Sequence, residues 1–125
     1  MRDRNIVLLK RIVKYSNEIS GTITRFELDF DKLSNDYIAR NAIAMCILQV
    51  GELAGHLTDE FKAAHNKVVW RDFIAVRNKS AHAYWTMDSE FLWDIATDRI
   101  PELKEYCESI IEEKEKREEE RENNT

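Results

Sequence analysis

One short stretch concentrates the reactive side chains of this chain: Arg71-Asp72-Phe73-Ile74-Ala75-Val76-Arg77-Asn78-Lys79-Ser80-Ala81-His82-Ala83-Tyr84-Trp85. At about 100° per helical residue, Asn78 and His82 share a face at i,i+4, and Arg77 flanks them one step around. A histidine near neutral pKa takes or gives a proton. A guanidinium clamps a phosphate and stabilises charge on its oxygens. Asn78 can hydrogen-bond the imidazole or a ribose hydroxyl, and Tyr84 sets a phenol close by. Together these groups suit phosphodiester cleavage by the neighbouring ribose 2′-hydroxyl, which needs a base, an acid and an oxyanion clamp but no metal. A single motif histidine supplies one proton-transfer group, and a symmetric dimer would supply the second. The same residues also fit a structural role, in which Arg77 and Lys79 meet the last carbonyls of a helix and His82 favours its negative end.

Other reactive residues are more scattered. Glu52 could orient Arg77 or a group of a partner subunit, or it could be an ordinary solvated carboxylate on a helix. His56 and His65 lack metal-ligand spacing with each other or with a cysteine, so surface positions are expected and no metal site is. Trp70, Trp85 and Trp93 could stack bases, but tryptophans in a small helical protein are usually core or interface residues. Asp72 and Asp88 are too far apart in sequence to be argued as a pair. Cys46 and Cys107 sit in apolar helical segments outside any CxxC pair, which implies free thiols in a reduced compartment.

Helices must position these groups. Ile6, Leu9, Ile12, Val13 and Ile19 recur at helical spacing, and Gly21 with Thr22-Ile23-Thr24 is expected to interrupt that first helix. A second helix, capped by Ser34 or Asn35, should run through Tyr37, Ile38, Ala42, Met45, Leu48, Gln49, Glu52 and Leu53, with Gly51 and Gly55 weakening its end. Its small residues Ala39, Ala42, Ala44 and Ala54 suit close helix packing. One or two turns are expected within Thr58 to Lys67, then a helix from Val68-Val69-Trp70 to about His82. Asp88 or Ser89 should cap a further helix, and Pro101 should open the last, whose buried face is Leu103, Tyr106, Cys107, Ile110 and Ile111. No period-two strand and no internal repeat is visible, so the expected fold is a small all-α antiparallel bundle of about five helices.

Length and composition agree. A chain of 125 residues with 43% apolar positions supports one compact domain with a small core. Three glycines and one proline make a many-turned β sandwich untenable. The apolar run near the N-terminus is too short for a signal peptide or a membrane span, so a soluble cytoplasmic protein is expected. Net charge is -5. The run Glu112 to Glu122 holds 7 acidic and 4 basic residues and no apolar one, so most of the acidity belongs to this stretch. The expected organisation is a helical domain over 1–111 and a charged, solvated helical extension over 112–125, with i,i+4 pairs Glu112/Lys116 and Glu113/Arg117.

Arg77, four residues, then His82-Ala83-Tyr84 matches the RxxxxHxY signature of HEPN-domain ribonucleases, with Asn78 directly after the arginine. The surroundings resemble the HepT-like toxins paired with minimal nucleotidyltransferase (MNT) antitoxins. Gln49-Val50-Gly51-Glu52 resembles that branch's Q-x-G-E segment, and Trp70-Arg71-Asp72-Phe73-Ile74 its lead into the arginine. Trp93-Asp94-Ile95-Ala96 and Ile100-Pro101-Glu102-Leu103 resemble its last helical pair. The likeness spans about residues 3 to 111. It implies a HEPN-like bundle that dimerises with its Arg-His edges facing across a cleft. It further implies RNA cleavage by Arg77 and His82, no cofactor of its own, and silencing by an MNT-type antitoxin. That antitoxin would use ATP to transfer AMP to Tyr84. An alternative is a non-catalytic nucleotide- or partner-binding subunit of a nucleotidyltransferase complex. An AMP-transferring enzyme is disfavoured, because the chain lacks the Gly-Ser and paired-Asp cluster such enzymes use.

Overall fold

The computed structural model describes residues 3–78 and 88–124, and within them the chain is an all-α bundle without strands. Helix α1 spans Arg4–Arg25; the Asp3 carboxylate caps it by accepting from the Asn5 N–H at 3.0 Å. Its buried face is Ile6, Leu9, Ile12, Ser16 and Ile19, and the Ser16 hydroxyl donates to the Ile12 carbonyl. The expected interruption at Gly21 does not occur. Gly21 faces open space, and Thr22 turns its hydroxyl back onto the Glu18 carbonyl, so neither strains the helix. The stop comes at Glu27, whose φ of 49° is left-handed. There the Leu28 N–H donates to the Ile23 carbonyl and the Glu27 N–H to that of Thr24, a Schellman closure without the usual glycine.

Two short helices frame the second long one. Helix α2, Phe30–Asn35, is capped by Asp29. Ser34 and Asn35 belong to its last turn, donating to the Phe30 and Asp31 carbonyls, so neither caps the next helix. Asp36 does, accepting from the N–H groups of Ile38 and Ala39. Helix α3, Tyr37–His56, runs unbroken through Gly51 and Gly55. Ala39, Ala44, Gly51 and Ala54 are buried and let neighbours approach, whereas Ala42 lies on the exposed side. Helix α4, Asp59–Ala64, is capped by Thr58, which also exchanges two hydrogen bonds with Asn5 and so ties α4 to the start of α1.

Helix α5, Trp70–Asn78, packs on α3. Beyond the undescribed residues, Asp88 caps helix α6, Ser89–Asp94. No break separates α6 from the last helix. A π-helical turn, Ile95–Arg99, leads directly into α7, Ile100–Asn123, with the Ile100 N–H donating five residues back to the Ile95 carbonyl. Pro101 has no N–H to give, and the ladder shifts register just before it. The core joins Leu9, Ile12 and Ile19 of α1 to Ile43, Ile47 and Val50 of α3 and to Leu103, Cys107 and Ile110 of α7. The charged run continues α7, held by Lys114 on Asp3, Lys10 on Glu115 at 2.8 Å, and Arg117 on Glu113 at 2.7 Å.

Candidate functional site

Helix α5 carries the first half of the motif, and its buried residues fix how it sits. Trp70, Phe73 and Val76, spaced by three, are all buried. Trp70 is pinned further by its indole N–H, which donates to the His65 carbonyl at 2.7 Å. Its ring lies near Phe61 and Tyr106, and His65 stacks on Phe61 with centroids 4.2 Å apart. His65 is therefore a half-buried member of an aromatic cluster, contrary to the surface position expected for it. The cluster anchors the start of α5, and Arg77 and Asn78 are its last two residues. His82, Tyr84 and Trp85 lie outside the described residues, as does the expected continuation of the helix to His82.

Glu52 is in the C-terminal part of α3, the helix against which α5 packs. The elements carrying Glu52, Arg77 and Asn78 are thus adjacent. Glu52 Oε1 lies 3.1 Å from His56 Nε2, one turn along, and His56 is exposed. Asp72 and Asp88 do not pair with each other. Asp72 forms an ion pair with Arg99 at 3.1 Å, and Asp88 caps α6. Trp70 is core and Trp93 is partly buried against it. Both cysteines are free thiols; burial pushes Cys107 up to about 12 and also raises Cys46, so Cys107 stays protonated at neutral pH. Among the described residues, no group of three or more His, Cys, Asp or Glu could hold a metal, and no helix is long and apolar enough to cross a membrane.

Two features escaped the sequence. One is a groove between α5 and the α6–π turn segment, with Asp72, Asp94 and Arg99 at its edge. Its carboxylates and arginine are spread over 28 residues of sequence, Asp72 to Arg99, and no spacing rule joins them. The other is the outer face of α3, where Tyr37, Ile38 and Met45 are 65%, 60% and 50% exposed. That face was legible in principle, because apolar residues on every side of a helix imply burial all round.

Fold and site define a class: a small helical bundle that carries an Arg-Asn pair at the end of a short helix anchored by tryptophan. The model of the family described as Ribonuclease HepT-like matches residues 8–110, and the chain belongs to that family. Among curated proteins, it is 29% identical over 93 residues to the "Probable ribonuclease HepT" of Thermococcus cleftensis, covering 74% of this chain and 84% of that one. It is 28% identical over 85 residues to a candidate RNase of Caldanaerobacter subterraneus subsp. tengcongensis, covering 68% and 76%. A candidate RNase of Methanocaldococcus jannaschii is 24% identical over 84 residues, covering 67% and 77%. No solved structure matches the chain.

Proposed function

We propose that this protein is a metal-independent endoribonuclease that acts as a homodimer. It would be the toxin of a toxin–antitoxin pair silenced by an MNT-type nucleotidyltransferase. The observation that carries the reading is the Arg77-Asn78 pair, followed in sequence by His82 and Tyr84, on a chain of the HepT-like ribonuclease family. In the reaction, His82 takes the proton of a ribose 2′-hydroxyl as that oxygen attacks the adjacent phosphorus. Arg77 neutralises the charge gathering on the non-bridging oxygens. The bond to the leaving 5′-oxygen breaks, leaving a 2′,3′-cyclic phosphate, and the leaving oxygen takes a proton from the partner's histidine. Asn78 and Glu52 hold the imidazole and guanidinium in place.

The apolar outer face of α3 supports the dimer. Ile38, Ala42, Met45, Gln49 and Glu52 recur at spacings of four and three, forming one stripe that ends at a site residue. Transfer of AMP to Tyr84 would silence the enzyme by placing a phosphate where the substrate phosphate binds Arg77. The test is cleavage of single-stranded RNA in EDTA by wild type, Arg77→Ala and His82→Ala. Activity is expected only in wild type, and equal cleavage by His82→Ala refutes the assignment. Co-expression with a neighbouring nucleotidyltransferase should add AMP masses that disappear in Tyr84→Phe.

A further inference from the structure

The groove between α5 and the π turn holds about 410 Å³, within the range of roughly 300–1,000 Å³ for small-molecule sites. Phe73, Val76, Phe91 and Ile95 give it apolar walls, and the carboxylates of Asp72 and Asp94 and the guanidinium of Arg99 stand at its rim. The π turn produces this arrangement. Widening the helix by one residue per turn brings Asp94 and Arg99 to the same edge, and Arg99 reaches across to Asp72 at 3.1 Å. Turns of this kind are uncommon and concentrate at functional sites. Val76, in the floor, directly precedes Arg77 on α5.

The polar groups differ in what they leave available. Asp72 and Arg99 hold each other in an ion pair. Asp94 makes no hydrogen bond or ion pair among the described residues. An apolar groove with an arginine and an open carboxylate at its rim suits a nucleobase, stacked on the guanidinium and read along its Watson–Crick edge. Two acceptor oxygens discriminate among the bases. Guanine alone presents two adjacent donors, N1–H and the N2 amine, to match one carboxylate. Adenine and cytosine set a lone pair beside their amine, and uracil flanks its single N–H with carbonyls. The rim is net negative, with two carboxylates against one guanidinium, and disfavours a phosphate, which in the reading above binds Arg77 instead.

We infer that this groove is a guanine subsite selecting the nucleotide next to the scissile phosphate, an inference that rests on the ribonuclease reading above. The test is titration of the purified protein with GMP, AMP, CMP and UMP, monitored by amide NMR shifts. GMP should move the resonances of Phe73, Val76 and Ile95 and bind about tenfold more tightly than the other three. Asp94→Asn, at an exposed position that folding tolerates, should abolish that preference. Ala75→Trp, which fills the groove from its exposed lining, should abolish binding. Equal affinity for the four nucleotides, shifts confined elsewhere, or unchanged selectivity in Asp94→Asn overturns the subsite. Binding is read whether or not RNA is cut. GMP selectivity in a protein that never cleaves RNA would refute the ribonuclease reading and keep the groove, while cleavage indifferent to guanine would do the reverse.

Discussion

Replacing Met45 by glutamate should separate the protomers of the proposed dimer without unfolding them. Met45 is 50% exposed in the single chain and sits mid-way along the apolar stripe of α3. Full burial of a methionine is worth about 1.5–3 kcal/mol, so covering the exposed half gives about 1 kcal/mol per copy and about 2 kcal/mol across a two-fold interface. Putting a carboxylate there adds a desolvation cost of about 1–2 kcal/mol per copy after relaxation. The total, about 4–6 kcal/mol, raises the dimer dissociation constant by three to four orders of magnitude at about 1.4 kcal/mol per tenfold. Sedimentation velocity across a dilution series reads the dissociation, and circular dichroism should show an unchanged helical fold. RNA cleavage per protomer should fall in step with the dimer fraction, because the second proton-transfer group leaves with the partner. A Met45→Glu protein that stays dimeric, or a monomeric wild type that cuts RNA at full rate, refutes the reasoning.

Three smaller perturbations test the fold. Glu27→Gly should raise stability by about 0.5–1 kcal/mol in thermal denaturation, because glycine adopts the φ of 49° at the end of α1 without strain. At pH 8 a thiol reagent should label Cys46 before Cys107, which should react only on unfolding, since its burial is deeper and its pKa is pushed to about 12. The Lys114 ammonium, donating to the Asp3 carboxylate, holds Asp3 below its ordinary 3.8. That lowering stabilises the fold above pH 3.8 and is lost as pH falls through the depressed value. Lys114→Ala should therefore cost a few tenths of a kcal/mol at pH 7, for a pair this exposed, and flatten the acid limb of the stability curve.

Periodicity made the helices legible, and local stop signals misplaced their ends. Ile6, Leu9, Ile12 and Ile19 define the buried face of α1 because a 3.6-residue repeat of apolar side chains has few other uses. Gly21 looked like a terminus only because glycine is costly inside a helix. That cost, about 1 kcal/mol, is smaller than the packing of the turns on either side, while the actual stop uses a glutamate in a left-handed conformation. Capping was similarly ambiguous: Ser34, Asn35 and Asp36 are all good caps, and the choice fell on Asp36 because the preceding pair was needed to finish α2. The π turn was invisible for a different reason. A register shift exchanges one backbone acceptor for another, so residue types barely change, and Pro101 alone hinted that an N–H would be missing.

The site divides along the same line. Arg77 and Asn78 stood out in the sequence as candidates because they are close to His82 and their spacing has chemical meaning, whereas Trp70 entered as a lead-in only through the family resemblance. Glu52 is joined to Arg77 and Asn78 only through the packing of its helix α3 on α5, and the small residues Ala39, Ala44, Gly51 and Ala54 of α3 lie on its buried face. The opposite face of that helix is the apolar stripe. A single helix therefore determines where α5 sits and offers the surface on which a second copy would dock. Loosening α3 should weaken the motif and the dimer together, whereas Met45→Glu should remove the dimer alone. Comparing Met45→Glu with a core change such as Ile47→Ala separates these effects. The core variant should lose about 2–4 kcal/mol of stability and lose dimer and cleavage together. The surface variant should keep its stability as a monomer and lose cleavage.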